Sequence, residues 1–280
     1  MSTLELDQVV RAVRDLPSLP IIVMELLETM EQEDASSALL THKISQDQAL
    51  TAKILRVANS SFYGMSARVT TVAQALSILG FSTVRALVTA ASISGAFVLD
   101  TNSPFNFSPF WKHAIATAIC AKHLAPFSRV APDSAFITGL LHDIGQLVLA
   151  TKFASAYAQV SAHRQTNDCE VIDAERMVLQ FDHAMVGAAL AEHWRFPPAM
   201  QQAVLQHHAI DSAHAEPLTV VIHIANTITH VLDLAGDPME ALPDTSASAW
   251  QSIALDSNAL SRILPMIVAE FTAISPILVG

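Results

Sequence analysis

The sequence predicts an all-α protein built from two helical lobes. Apolar residues recur at helical spacing along most of the chain, and strict alternation of β-branched residues is hard to find. Only 8 glycines and 13 prolines punctuate 280 residues. Hydrophobic residues make up 51% and charged residues 15%, which supplies a real core and argues against disorder. A chain of this length fits about two domains, or one large one.

Leu50, Ile54, Leu55 and Ala58 mark one helix face, and Ser45 followed by Gln48 reads as a capping box at its start. Val72, Ala75, Leu76 and Leu79 mark the next, with Gly80 where a terminating glycine belongs. Between them, Asn59–Thr70 is small, polar and loop-like, with Asn59-Ser60 as a helix cap and turn. Ser82 or Thr83 caps a long helix through about Leu99. Asp100–Pro109 holds prolines and asparagines without periodicity and is the best internal boundary. Helices are then expected over Phe110–Ala125, Asp133–Thr151, Lys152–Gln165, Glu170–Leu179 and Asp182–Trp194. Pro197-Pro198 suits the start of another, reaching about His208. Leu218–Leu234 follows, then a loop over Gly236–Ser248 and a terminal helix near Ser257–Ala273. The expected division is an N-terminal lobe over 1–104, a second lobe over 105–235 and a helical tail over 236–280. The lobes are expected to meet through Asn59–Thr70 or Asp100–Pro109.

Mean hydropathy is +0.39, so membrane spans have to be tested. Two long charge-free stretches, Ala86–Leu99 and Pro217–Leu232, fall short of the ~20 apolar residues a span needs. Both read as buried helices, and no membrane partner is expected. The net charge of −11 disfavours sequence-independent nucleic-acid binding, which works by neutralising phosphates. The N-terminus has early acidic residues and no apolar core segment, unlike a signal peptide. Cys120 and Cys169 form neither a disulfide framework nor a CxxC site; they read as packing residues in a reducing cytoplasm.

The twelve histidines carry the chemistry. His142-Asp143 lies in the apolar stretch AFITGLLHDIGQLVLA, where a buried aspartate has to be paired or bound to a cation. His113 lies on an earlier helix, His183 starts FDHAMVGAALAEHW, and His207-His208 is a doublet in VLQHHAI. Imidazole nitrogens and a carboxylate are the ligand set of iron, manganese or zinc, and one bundle can aim them inward. A carboxylate beside a histidine can bridge two ions, which would suit attack on phosphorus. The plainer readings are a satisfied core histidine for His113, a wet helix end for His207-His208, and a cap or Arg/Lys partner for Asp143. His42, His123, His163, His193, His214, His223 and His230 have no partner at ligand spacing. Trp111, Trp194 and Trp250 read as packing anchors, and Met24 and Met30 as core or groove residues. No glycine-rich phosphate loop and no GxSxG motif is present.

LPSLP (Leu16–Pro20), ISQDQALTAKILRVANSSFYG and VAQALSILGFSTVRALV together resemble the HDOD domain, the HD-related output domain of bacterial signalling proteins. WKHAIATA, GLLHDIGQLVL, FDHAMVGAALAEHWRFPPAMQQAVLQHH and HIAN continue the resemblance in order. It runs from about Leu16 to His208, more weakly to Asn226, and leaves the tail beyond about 236 uncovered.

The resemblance implies a helical first lobe peculiar to the family and a second similar to HD-domain phosphohydrolases. The metal residues of those enzymes would fall on His113, His142, Asp143, His183, His207 and His208. Their final acidic ligand falls on Asn226, which removes one negative charge, and the lysine following HDxG falls on Gln146. The segment AIDSAHAEPL lacks the GYP motif of cyclic-dinucleotide hydrolases. The expected function is therefore a non-catalytic cytoplasmic signalling module with a residual site for iron, manganese or zinc, acting through protein partners. A metal-dependent phosphohydrolase is the alternative. With no sensor motif before LPSLP, the signal is expected from a separate protein or small ligand.

Overall fold

The protein is described from a computed structural model, which covers residues 4–16, 33–60, 63–64, 68–96, 105–210, 215–238 and 241–279. Among these residues every regular element is helical and there is no strand. Pro17–Pro20, Met24, Met30, His214 and residues 100–104 of the expected boundary lie outside the described residues.

The smaller core is built by α2 (Glu33–Gln46), α3 (Gln48–Ala58), α4 (Val72–Leu79) and α5 (Phe81–Ala96). Ile44, Ile54, Val57, Val72, Ala75, Leu79, Val84 and Val88 meet there. The start of α3 differs from the expectation. Asp47, not Ser45, is its cap, accepting from the Ala49 and Leu50 amides, while Ser45 lies inside α2 and donates to the Thr41 carbonyl. A carboxylate beside two free amides outcompetes a hydroxyl already engaged on the previous turn. The box the sequence reading missed belongs to α4, where Thr71 and Gln74 cap each other's amides. Gly80 ends that helix at φ 79°, a backbone that glycine adopts without strain. Asn59 caps α3 as expected. Its amide also donates to the Val69 carbonyl at 2.9 Å and its oxygen accepts from the Val69 amide at 2.8 Å, which pins the loop shut.

The larger core gathers α6 (Phe107–Leu124), α7 (Pro132–Leu141), α8 (Ile144–Lys152), α9 (Ala154–Asn167), α10 (Val171–Leu179), α11 (His183–His193), α12 (Pro198–Gln206) and α13 (Pro217–Val231). The N-terminal helix α1 (Leu6–Arg14) joins it through Val9 and Val13 and packs on α11. The stretch expected as one helix over Asp133–Thr151 is two. The chain breaks at His142-Asp143, and that break aims the aspartate. A short helix, α14 (Ala247–Ser252), occupies part of the expected loop; Ser246 caps it by accepting from the Ala249 amide.

The terminal helix α15 (Ser257–Val279) ties the two cores together. Ile263, Ile267 and Phe271 enter the larger core and Ile274 the smaller. A second link among the described residues is α5 on α7, where buried Arg85 donates to Asp133 at 2.6 Å. By length and composition alone, Pro132–Lys152 and Ser257–Val279 could cross a membrane. The charge-free criterion passed over both because each carries charged residues. The first is 89% buried inside the protein and the second 33%.

On the inward face of α15, Glu270 pairs with Lys122 and accepts from His123 at 2.9 Å. His123 thus has a structural partner, far from it in sequence. Burial alone would raise the Glu270 carboxyl, but the His123 hydrogen bond and the Lys122 charge hold it below its ordinary value. A depressed carboxylate adds stability above its unfolded pKa and loses it as pH falls through the folded value. Glu270→Gln should thus flatten the acid limb of the stability profile. Thermal melts of both proteins between about pH 6 and 3 should show the wild-type advantage shrinking on acidification.

Candidate metal centre

Each predicted ligand sits where a helix begins, ends or passes the centre of the larger core. His113 projects from the middle of α6. His142 closes α7, and its Nδ1 donates to the Gly139 carbonyl at 2.7 Å, leaving Nε2 as a lone pair facing inward. Asp143 stands at the cap of α8, where an aspartate would ordinarily accept from the helix amides. It makes no such bond; its carboxylate turns into the imidazole cluster instead. His207 ends α12 with Nδ1 donating to the Val204 carbonyl at 2.7 Å, so its Nε2 also faces inward. His208 follows directly.

His183 opens α11 behind the Asp182 cap, which accepts from the Met185 amide. Its orientation is set by Glu175, a residue the sequence reading missed. Glu175 is fully buried, and its Oε2 accepts from the His183 amide at 2.7 Å and from Nδ1 at 2.6 Å. A carboxylate behind an imidazole fixes the tautomer and strengthens the far nitrogen as a ligand. The available signal was periodicity: Ile172, Glu175 and Leu179 share one helix face, so the glutamate had to point inward.

The inward atoms converge. Asp143 Oδ1 lies 3.1 Å from His183 Nε2 and 3.3 Å from His207 Nε2. Asp143 Oδ2 lies 3.4 Å from His142 Nε2 and 3.8 Å from His113 Nε2. His183 and His208 approach at 3.1 Å, and His113 and His142 at 3.3 Å. Two ligand groups result, Asp143/His183/His207/His208 and His113/His142/Asp143, with the aspartate common to both. All six residues expected from the sequence are brought together.

The electrostatics suit a cation. Burial, with repulsion from neighbouring rings, pushes His113 and His208 well below the usual histidine value. Burial likewise takes His142 to about 4, against the pull of Asp143. These rings are neutral at pH 7, as ligands have to be. Burial would lower His183 and raise Asp143, but Glu175 and Asp143 hold the histidine high, and His142 and His183 hold the aspartate low. Asp143 Oδ1, His207 Nε2 and Asn226 Oδ1 are buried without a hydrogen-bond partner. Asp143 Oδ1 and His207 Nε2 face one another at 3.3 Å, an arrangement that is costly unless a cation serves both. The donor set therefore fits one or two divalent transition-metal ions.

A cavity of about 160 Å³ opens beside the cluster, with His113, Asp143 and His208 in its wall. Phe105 and Tyr157 line it edge to face, their ring centroids 5.6 Å apart. Gln146 faces it and accepts from the Tyr157 hydroxyl at 3.3 Å. Arg164 donates to Asp237 at 3.2 Å on the same wall, and Glu170 adds a further carboxyl. Two histidines set aside in the sequence also reach the site. His223 accepts from the Ser246 amide at 3.2 Å and donates to the His207 carbonyl at 2.8 Å. His230 packs against His113 with ring centroids 4.6 Å apart.

Known proteins share the fold. The family model of the HDOD domain matches residues 16–210. A solved HDOD domain protein of unknown function from Geobacter sulfurreducens is 21% identical, with a TM-score of 0.80 over 98% of this chain and 99% of that one. A protein from Shewanella amazonensis SB2B, provisionally named a phosphohydrolase, is 27% identical, with a TM-score of 0.74 over 96% of this chain and 97% of that one. An uncharacterized protein of Treponema pallidum is 26% identical over 85% of this chain, which spans 46% of that relative's length.

Proposed function

The chain belongs to the HDOD family, and from that premise we propose that it is a metal-holding signalling module, not a hydrolase. It acts through protein partners, and its metal centre fixes the shape of the second lobe. A divalent ion bound there supplies Lewis acidity, but the residues around it do not complete a hydrolytic site. The observation that carries this reading is the charge of the cavity wall. A phosphoester brings negative charge into a space lined by Asp143, Glu170 and Asp237, where Arg164 already donates to Asp237. Gln146 stands where the resemblance places a lysine, is neutral, and is engaged by Tyr157. Asn226 contributes no charge to the ligand set. The fold holds the ligands without the groups that would bind and neutralise a phosphate.

The ligands come from α6, the α7–α8 junction, the start of α11 and the end of α12. An ion there cross-links these elements and stabilises their arrangement by binding the folded state alone. Turnover assays test the reading. The purified protein, loaded with iron, manganese or zinc, should not hydrolyse cyclic dinucleotides, nucleotides or aryl phosphoesters above the metal-only background. Rapid hydrolysis that disappears in Asp143→Ala would overturn it in favour of the enzyme, the reading favoured by the converged histidine–aspartate cluster.

A further inference from the structure

A second cavity, of about 80 Å³, touches the cluster at His207 and His208. Its wall is graded by depth. Asp173 and Asp244 are exposed at its mouth and Glu170 is half-buried. His207 and Asn226 form its base at 0% and 2% exposure. His207 Nε2 and Asn226 Oδ1 are both without a hydrogen-bond partner there. The neighbouring ring of His223 is occupied on both nitrogens, by the His207 carbonyl and the Ser246 amide. The guanidinium on this wall, Arg176, donates to Asp182 at 2.9 Å. We propose that this cavity is the entry site of the metal: Asp173, Asp244 and Glu170 collect a hydrated divalent cation and pass it to His207 and His208. This rests on the metal-holding reading above and adds how the ion arrives.

The wall repels itself without a cation. Burial and the nearby charge of Asp173 raise the Glu170 carboxyl above its ordinary value, against a backbone hydrogen bond from Asp244. A narrow cleft lined by one sign of charge focuses its field and speeds capture of the opposite charge by about 10–1,000-fold. The ligand types then set the direction of travel. Carboxylate oxygens take any hydrated divalent ion, whereas imidazole nitrogens favour zinc, iron and their neighbours. His207 and His208 belong to the ligand group of Asp143 and His183, so the handover ends inside the centre. The larger cavity shares Glu170 and His208 with this one. Its Asp237 already accepts from Arg164, and Pro109 and Phe110 lie in its wall, so it draws a cation less strongly.

The test times uptake. The full chain is stripped with chelator and mixed with excess cobalt(II) at low ionic strength, and the growth of cobalt absorption is followed by stopped flow. Glu170→Gln, Asp173→Asn and Asp244→Asn combined are expected to slow uptake about tenfold or more. They are also expected to flatten its dependence on salt. The helical circular dichroism, the cobalt held at saturation and the final spectrum are expected to stay those of wild type. If the triple variant does not fold, the exposed pair Asp173→Asn and Asp244→Asn is expected to slow uptake about threefold. Asp237→Asn removes a carboxylate from the larger cavity and is expected to leave the rate within about twofold of wild type. A wild-type rate in the carboxylate variants, or equal slowing by Asp237→Asn, overturns the entry site and leaves the metal centre standing. So does a carboxylate variant that holds less cobalt or changes its spectrum, because those side chains would then be ligands of the resident ion. A wild type that takes up no cobalt overturns the entry site and the metal-holding reading together.

Discussion

Replacing Asp143 with asparagine is expected to empty the centre completely, a larger effect than removing any single histidine. The two ligand groups share no other residue. Each histidine variant leaves one group intact, whereas Asp143→Asn removes the anion from both while keeping side-chain volume. An ion at a hundred times its dissociation constant stabilises the folded state by about 2.7 kcal/mol. For a lobe of this size that is a rise of about 5–10 °C in melting temperature on adding metal. Wild type should show that rise and Asp143→Asn should not. Elemental analysis of the same samples checks the cause. A variant that keeps its metal, or melts higher when metal is added, would show that the aspartate is not the common ligand.

The sequence singled out the residues that converge but not how they are held. The six residues stood out because histidines and an aspartate interrupt otherwise apolar helices, and all six converge. The break at His142-Asp143 was missed because AFITGLLHDIGQLVLA keeps helical spacing straight through it, and periodicity is blind to one turn of altered backbone. Glu175 was missed because a lone glutamate in VIDAERMVL reads as solvated until its position between Ile172 and Leu179 is weighed. His230 was set aside for want of a partner at ligand spacing, and what it meets in the structure, the His113 ring, lies on a different helix. The all-helical fold was legible because apolar spacing is a local signal. Long-range packing was not: α1 joins the larger core and α15 spans both, and neither fact follows from spacing within those helices.

The close approach of α8 to α11 at the centre requires a glycine at 145, and Gly145→Ala is expected to damage it severely. A Cβ at Gly145 would lie 2.0 Å from the His183 carbonyl oxygen, 2.7 Å from the Gly187 amide nitrogen and 2.9 Å from the His183 carbonyl carbon. All three are backbone atoms, so no side chain can swing aside. Helix α8 has to move off α11, and the movement carries Asp143 away from His183, which it now meets at 3.1 Å. Gly187 faces the same contact from α11, but a Cβ there meets a side-chain atom, Val204 Cγ1, at 3.0 Å and the Gly145 nitrogen at 3.3 Å. Gly187→Ala is therefore the milder change. Overpacking of this kind costs about 1–3 kcal/mol, with a backbone clash at the upper end or beyond. Gly145→Ala should melt well below Gly187→Ala, and it should lose metal affinity with only one methyl group added and no ligand removed. Equal melting temperatures and equal metal content in the two variants would mean that the close packing of α8 on α11 does not set the geometry of the centre.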